Sequence, residues 1–278
     1  MPELPEVETV ARELGESLPG RTITGVTVRW PRTVACPPPD QFREAIAGRR
    51  VTSVGRRGKY VVLGLDRGFL LIHLKMSGRL YVVPAGQSPD RHEHTVFDLD
   101  DGQQLRFRDV RKFGRVYLVD DVEQVTGDLG PEPLADDFTL ARFRRLLERR
   151  SGRLKSLLLN QSFVAGLGNI YADETLFRAG LHPLRRAGSL SPSEQERLYN
   201  AIRSVLRQAV ANRGTTLSDG GYVDARGEAG QHQEQIMVYG RGGEPCLHCG
   251  TSIERLVIGG RSSHFCPCCQ KDGTAAGA

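Results

Sequence analysis

Two Cys-x-x-Cys turns near the end of the chain restrict its folding more than any other feature. Cys246-Leu247-His248-Cys249 is followed, sixteen residues later, by Cys266-Pro267-Cys268-Cys269. Paired turns of this kind bring four thiolates to one tetrahedral ion, and the intervening apolar runs Ile253 to Ile258 and Arg261 to Phe265 predict the hairpin of a zinc ribbon. Two disulfides are the alternative, which a reducing compartment opposes. A closed four-cysteine site has no open coordination position, so the predicted zinc is structural. Cys268 competes on paper with Cys269, but the spacing favours Cys246, Cys249, Cys266 and Cys269. His248 and His264 are read as surface residues of the hairpin. Cys36, alone before Pro37-Pro38-Pro39, carries no readable role.

The remainder of the 278 residues reads as two further regions. With 39% hydrophobic and 26% charged residues the chain is neither fibrous nor predominantly disordered. Its longest apolar runs, such as Phe69 to Ile72, fall far short of a membrane span. The opening Met1-Pro2-Glu3-Leu4-Pro5-Glu6 lacks the basic start and apolar stretch of a secretory signal, so a cytoplasmic location is expected. Leu4, Val7, Val10, Ala11, Leu14 and Leu18 recur at helical spacing up to Gly20, with Pro5 in the first turn. Pro2 and Glu3 are thereby placed just ahead of a helix N-terminus. From Ile23 to about Val119 short β-rich segments follow: 51–54, 60–65, 69–74, 80–83, 95–99 and 115–119, with Asp66-Arg67-Gly68 and Asp101-Gly102 as turns. The fold class is α+β, with antiparallel strands in an N-terminal sandwich or barrel.

Leu129-Gly130-Pro131-Glu132-Pro133-Leu134 resists regular structure and marks a boundary. Expected domains are 1–130, a helical region 131–240 with a mobile glycine-rich lid near 214–232, a zinc hairpin 241–270 and a disordered tail 271–278. Helical spacing returns at Leu140, Phe143, Leu146 and Leu147, and Ser191-Pro192-Ser193-Glu194 is a capping box ahead of Leu198, Ile202 and Val205. Charge adds a hint of function. The formal net charge is +5, and Arg142, Arg144, Arg145, Arg149, Arg150, Arg153 and Lys155 are opposed only by Glu148. A polyanionic partner accounts for such a run, as does a solvated helix face.

Six segments in order, PELPEVET, RRGKY, HLKMSG, RDVRKFG, GLGNIYADE and VYGRGGEPCLHCG, resemble the formamidopyrimidine-DNA glycosylase family almost end to end. Leu4 places the resemblance in the oxidised-purine branch, since the endonuclease VIII branch usually has glycine there. The resemblance implies a two-layered antiparallel β-sandwich with an N-terminal helix, a helix-two-turn-helix domain and a zinc-ribbon hairpin. It also implies a bacterial-type monomer, located at the nucleoid through DNA, that acts on damaged double-stranded DNA. Its activity would be excision of 8-oxoguanine and formamidopyrimidines, followed by β,δ-elimination, in base excision repair.

Residue by residue, the resemblance gives Pro2 as nucleophile, Glu3 as proton donor to the deoxyribose ring oxygen, and Lys59 as the lysine that binds flanking phosphates and places the sugar. It gives His92, Arg111, Asn169 and Arg261 as DNA contacts. Met76, Arg111 and Phe113 would fill the gap left by an extruded base. The chemistry of these residue types agrees. A terminal proline offers a secondary amine, and the iminium it forms acidifies the C2′ proton for elimination. The helix that begins nearby favours the unprotonated amine, yet the same positive end favours carboxylate on Glu3, which opposes proton donation. The chain departs from the familiar HLGMSG and DPRRFG at Lys75, Val110 and Lys112, and has Gln231 and His232 where the lid would end in an aromatic.

Overall fold

The computed structural model describes residues 1–217 and 220–271. Residues 218 and 219 of the expected lid, and all of the expected tail except Lys271, lie outside the described residues. Two compact units are present, one formed by Met1–Asp128 with Val210–Gln233 and the other by Leu129–Ala209 with the chain from Glu234 onward.

The first unit opens on helix α1 (Leu4–Gly15), whose buried face carries Leu4, Val7, Val10, Ala11 and Leu14 as the periodicity requires. Leu18 lies beyond the helix, its N–H returning to Leu14 O, and is fully buried. Nine strands follow: β1 (Thr22–Val28), β2 (Val34–Cys36), β3 (Arg49–Arg57), β4 (Tyr60–Leu65), β5 (Phe69–His73), β6 (Gly78–Pro84), β7 (Glu93–Leu99), β8 (Gln103–Asp109) and β9 (Arg115–Val119). They run in the order β2-β9-β5-β4-β3-β1-β7-β8-β6. Only Thr22↔Arg50 and Ile23↔Arg49 join β1 to β3, so the sheet divides there into two halves. Inward residues of both halves, among them Val61, Leu63, Leu70, Ile72, Leu80, Phe97, Leu105 and Phe107, form one buried cluster with α1.

The two-layered sandwich is therefore present, with one departure from the all-antiparallel expectation: β2 pairs with β9 in parallel. The long connection between them, through helix α2 (Pro39–Ile46) and then β3 to β8, permits this. The triple proline before it is explained by the same helix. Pro38 is its N-cap and Pro39 its first residue, where a missing N–H costs nothing. A short helix, α3 (Glu123–Thr126), closes the first stretch of the unit.

The 131–240 region expected as one helical domain is divided. Val210–Gln233 groups with the first unit because its backbone and side chains bond to α1. Thr215 N–H donates to Glu6 Oε1 at 2.8 Å, Ala225 N–H donates to Glu13 Oε2 at 2.9 Å, and Arg213 pairs with Glu13. Tyr222 is buried in the sandwich core.

The second unit contains α4 (Leu140–Leu147), α5 (Leu154–Leu159), α6 (Asn169–Ala179) and most of α7 (Pro192–Ala211), with hairpin β10 (Glu254–Ile258) and β11 (Arg261–Phe265). Both halves of the predicted capping box form at the start of α7: Ser191 N–H donates to Glu194 Oε2 at 2.8 Å, and Glu194 N–H to Ser191 Oγ at 3.3 Å. Between α5 and α6 the chain makes tight turns held by Gln161. Its amide nitrogen donates to Leu159 O and Leu167 O, and its Oε1 accepts from Gly166 N–H. These turns between two helices match the expected helix-two-turn-helix.

Candidate functional site

The expected site residues divide between the units. In the first, Pro2 and Glu3 are buried immediately before α1, and Met1 is exposed. Glu3 is the helix N-cap, and Glu3 and Glu6 form a reciprocal capping box in which Glu3 N–H donates to Glu6 Oε2 at 2.7 Å. Two orphan N–H donors of the helix end are satisfied in this way, and Glu3 acquires a fixed backbone. The second oxygen of Glu6 holds Thr215. One carboxylate thus joins the helix start to the 214–216 segment, where Gly214 has φ +78° and a Cβ would lie 2.7 Å from Glu6 Oε1.

Lys59 follows Gly58, φ +56°, in the β3–β4 turn and is buried. Beside it lies His73 at the end of β5. Burial, reinforced by the positive charges of Lys75 and Lys59, lowers the imidazole to about 3, so His73 is neutral at physiological pH. Its Nδ1 accepts from Lys75 N–H at 3.0 Å, which fixes the turn leading to Met76. The ring of Tyr60 packs edge-on against it at 4.6 Å, and burial raises the Tyr60 hydroxyl to about 12.

Met76, Arg111 and Phe113 occupy two neighbouring loops, 74–77 and 110–114, and all three are exposed. Arg111 lies over the Phe113 ring, its Cζ 5.1 Å from the centroid. Both loops converge on Asp109, which lies within the RDVRKFG segment but has no role among those the resemblance gives, and which is 1% exposed. Its carboxylate accepts from Ser77 Oγ at 2.5 Å, Arg111 N–H at 3.2 Å and Gly114 N–H at 2.6 Å. Its N–H donates to His92 O, and its carbonyl oxygen lies 2.9 Å from His94 Nε2. Half-buried His92 therefore touches this assembly through its backbone. The departures at Lys75 and Lys112 acquire a backbone meaning, because these residues have φ +55° and +58°. Each loop carries one non-glycine residue in a left-handed conformation, at a cost of about 1–2 kcal/mol.

In the second unit Asn169 is the first residue of α6, after Gly168. Its Nδ2 is 3.4 Å from Ser262 Oγ, and its Oδ1 is buried with no partner among the described residues. Arg261 is exposed, following the Gly259-Gly260 turn of the hairpin. Buried ions fix both elements. Lys155 Nζ donates to Asn169 O at 2.9 Å and to Asp173 Oδ1 at 2.7 Å. Asp173 also accepts from Ser263 Oγ and His264 N–H. The adjacent Glu174 accepts the consecutive N–H groups of Met237, Val238 and Tyr239, while burial raises its carboxyl above the usual range. These partners are up to 91 residues apart in the chain, and no local spacing announces them.

The ligand atoms of Cys246, Cys249, Cys266 and Cys269 all lie within 4.8 Å of one another. Sulfur atoms bound to one zinc at about 2.3 Å stand just under 4 Å apart, and the Cys246–Cys269 and Cys249–Cys266 separations are 4.0 and 3.5 Å. Backbone N–H groups of His248 and Cys269 approach Cys246 and Cys266 sulfur, as they do around thiolates. The set fits one structural Zn²⁺. Cys268 and His248 are exposed and outside it, whereas His264 is buried on Asp173 and is not the surface residue expected.

Residues 1–116 match the formamidopyrimidine-DNA glycosylase N-terminal domain, 129–220 the H2TH domain of the same family, and 243–271 the zinc finger found in FPG and IleRS. A formamidopyrimidine-DNA glycosylase of Pelotomaculum thermopropionicum is 49% identical over 276 residues, covering 98% of this chain and 99% of its own. The crystal structure of the MutM (Fpg) protein of Thermus thermophilus superposes with a TM-score of 0.88 at 42% identity, covering 98% of this chain and all of that one. The Lactococcus lactis Fpg in complex with DNA containing an abasic site gives 0.90 at 35% identity, with 97% and 99% coverage. The buried helix start, the paired loops and the four-cysteine centre thus belong to a chain of the formamidopyrimidine-DNA glycosylase family.

Proposed function

We propose that this member of the family excises oxidised purines from duplex DNA and then cleaves the strand, with Pro2 as its nucleophile. Membership makes it a DNA glycosylase of base excision repair, and the residue roles are our reading. After removal of Met1, the Pro2 nitrogen attacks C1′ of the damaged nucleotide. The C1′–base bond breaks, and the base leaves with the bonding electron pair. Glu3 supplies a proton to the deoxyribose ring oxygen as the ring opens, giving an iminium between Pro2 and C1′. Loss of the C2′ proton drives β-elimination of the 3′ phosphate, and δ-elimination releases the 5′ phosphate. Lys59, His92, Asn169 and Arg261 bind phosphates, which sets register without identifying the lesion. Met76 and Phe113 occupy the vacated stack, and Arg111 bonds the orphaned base.

The observation that carries this reading is the burial of Pro2 and Glu3 against a capped helix N-terminus, with Glu3 fixed by Glu6. Borohydride trapping on duplex containing 8-oxoguanine opposite cytosine tests it. Mature protein should form a covalent adduct whose peptide map places the linkage on Pro2, and protein retaining Met1 should not. Equal trapping by both forms, or a linkage on a lysine, refutes the assignment. Faster excision of thymine glycol than of 8-oxoguanine would refute the purine preference.

A further inference from the structure

The arginine-rich run 142–155 is only partly used by the roles above, and the structure sorts its members. Arg142 pairs with Asp137, Arg144 lies 3.7 Å from Glu196, and Lys155 is wholly buried on Asp173. Arg149, Arg150 and Arg153 have no ion pair among the described residues, and Arg149 and Arg153 are exposed.

A fourth arginine joins them from elsewhere in the chain. Arg153 and Arg186 face each other across an isolated antiparallel bridge. Leu154 N–H donates to Arg185 O at 2.8 Å and Ala187 N–H to Gly152 O at 2.9 Å. Facing residues of such a bridge project to the same side, and like charges placed there repel. Arg186 is exposed, and among the described residues its guanidinium makes no ion pair, only a 3.4 Å contact to Ser151 O. The chain therefore pairs two arginines across the bridge, and among the described residues neither has an ion pair to offset its charge. Such an unrelieved local conflict is characteristic of a surface shaped for an external ligand.

The position of the patch identifies that ligand. Ser156 lies one helical turn beyond Arg153, on the same side of α5. Its Oγ is 3.7 Å from where a Cβ would stand on Gly259, in the turn that presents Arg261. The start of α5, which carries Arg153, thus lies beside the hairpin turn. We infer that Arg149, Arg150, Arg153 and Arg186 form a second phosphate-binding surface, which holds duplex DNA beyond the nucleotides contacted by Asn169 and Arg261. The inference rests on the proposed role of those two residues. Guanidinium groups on phosphate oxygens supply affinity and register without reading sequence.

The test uses zinc-loaded full-length protein and two duplexes containing a stable abasic analogue, one of about one and a half helical turns and one of about three. Arg149→Ser, Arg153→Ser and Arg186→Ser are combined, and the three corresponding lysine substitutions serve as the charge-retaining control. Each phosphate contact contributes about 0.9 to the slope of log affinity against log salt. The serine variant should lose about 2.7 from that slope on the long duplex, so affinity lost between about 50 and 200 mM salt shrinks about 40-fold relative to the parent. Its binding to the short duplex, and its excision from a duplex of that length carrying 8-oxoguanine opposite cytosine, should be unchanged, and the lysine variant should keep the parental slope. An unchanged slope on the long duplex, or equal loss on both lengths, overturns the inference. Arg261→Ala separates the two readings. If it weakens both duplexes while the serine variant changes nothing, the second surface fails and the contact at Arg261 stands. If Arg261→Ala has no effect while the serine variant lowers the long-duplex slope, the Arg261 role fails and the surface stands.

Discussion

Replacing Asp109 with alanine removes the shared acceptor of three donors at once: Ser77 Oγ, Arg111 N–H and Gly114 N–H. Hydrogen bonds to an ionised acceptor contribute about 1.5–3 kcal/mol each. Water can replace the carboxylate at the exposed Arg111 N–H, and partly at Ser77. The Gly114 N–H is buried and cannot be rehydrated without opening the loop. About 2–4 kcal/mol of loop order should therefore be lost, which corresponds to roughly 30- to 1,000-fold in the population of the ordered pair. If excision requires Met76, Arg111 and Phe113 to enter the duplex together, single-turnover excision of 8-oxoguanine opposite cytosine should slow by that factor.

Asp109→Asn is the sharper probe because it keeps the shape. Whichever way the amide turns, one backbone N–H, of Arg111 or of Gly114, faces an NH₂ group. About 1–3 kcal/mol should be lost, or roughly 5- to 150-fold, between parent and alanine. Ser77 Oγ also accepts from Arg111 N–H at 3.1 Å, so Ser77→Ala should add a further loss of about 1 kcal/mol or less in the Asp109→Ala background. A folded Asp109→Ala protein that excises within threefold of the parent would refute the coupling of the two loops.

Four other outcomes follow from the geometry. His73 and His232, lowered by burial to about 3 and about 4, are neutral when folded but titrate near 6.5 when unfolded, so their stabilisation is complete above about pH 6.5 and is lost as pH falls toward 4 for His232 and toward 3 for His73. His73→Gln should flatten the decline of Tm across that window; a parental slope would show that His73 does not contribute. Lys155→Met leaves Asp173 buried without its cation and should cost about 3–5 kcal/mol in urea unfolding, and a loss under 1 kcal/mol would contradict the buried pair. Lys75→Gly relieves a left-handed non-glycine residue and should raise stability by about 1 kcal/mol, with a lower Tm as the contrary result. Chelation of zinc should abolish amide exchange protection in β10 and β11 and weaken DNA binding, while Pro2 remains reactive toward a small aldehyde; retained protection after proven metal loss would exclude a structural ion.

What the sequence disclosed was local. The α1 face, the Ser191 capping box and the cysteine spacing depend on neighbours within about four residues or on a motif of fixed length, and each appears in the structure. Strand β8 is masked in the sequence although Leu105 and Phe107 alternate inward, because Arg106 between them is also buried, on Glu93. Helix α2 is hidden when Pro37-Pro38-Pro39 is read as an interruption instead of a helix start. Asp109, Asp173 and Glu174 escape for another reason. A buried carboxylate is indistinguishable from a solvated one until its distant donors are known, and here Ser77, Ser263 and Met237 supply them. The arginine run shows the converse, since charge counting treats as one feature residues that the fold sends to separate fates.

The grip of α6 on the hairpin has a consequence for protein engineering. Residues 243–271 look like a portable cassette, four cysteines on a short ribbon. Yet Ser263 and His264 bond to Asp173, and the strap leading into the ribbon bonds to Glu174. A graft carrying only the ribbon would leave two acids stranded in the donor scaffold and arrive without the anchor that orients Arg261, so the smallest transferable piece includes α5, α6 and the strap.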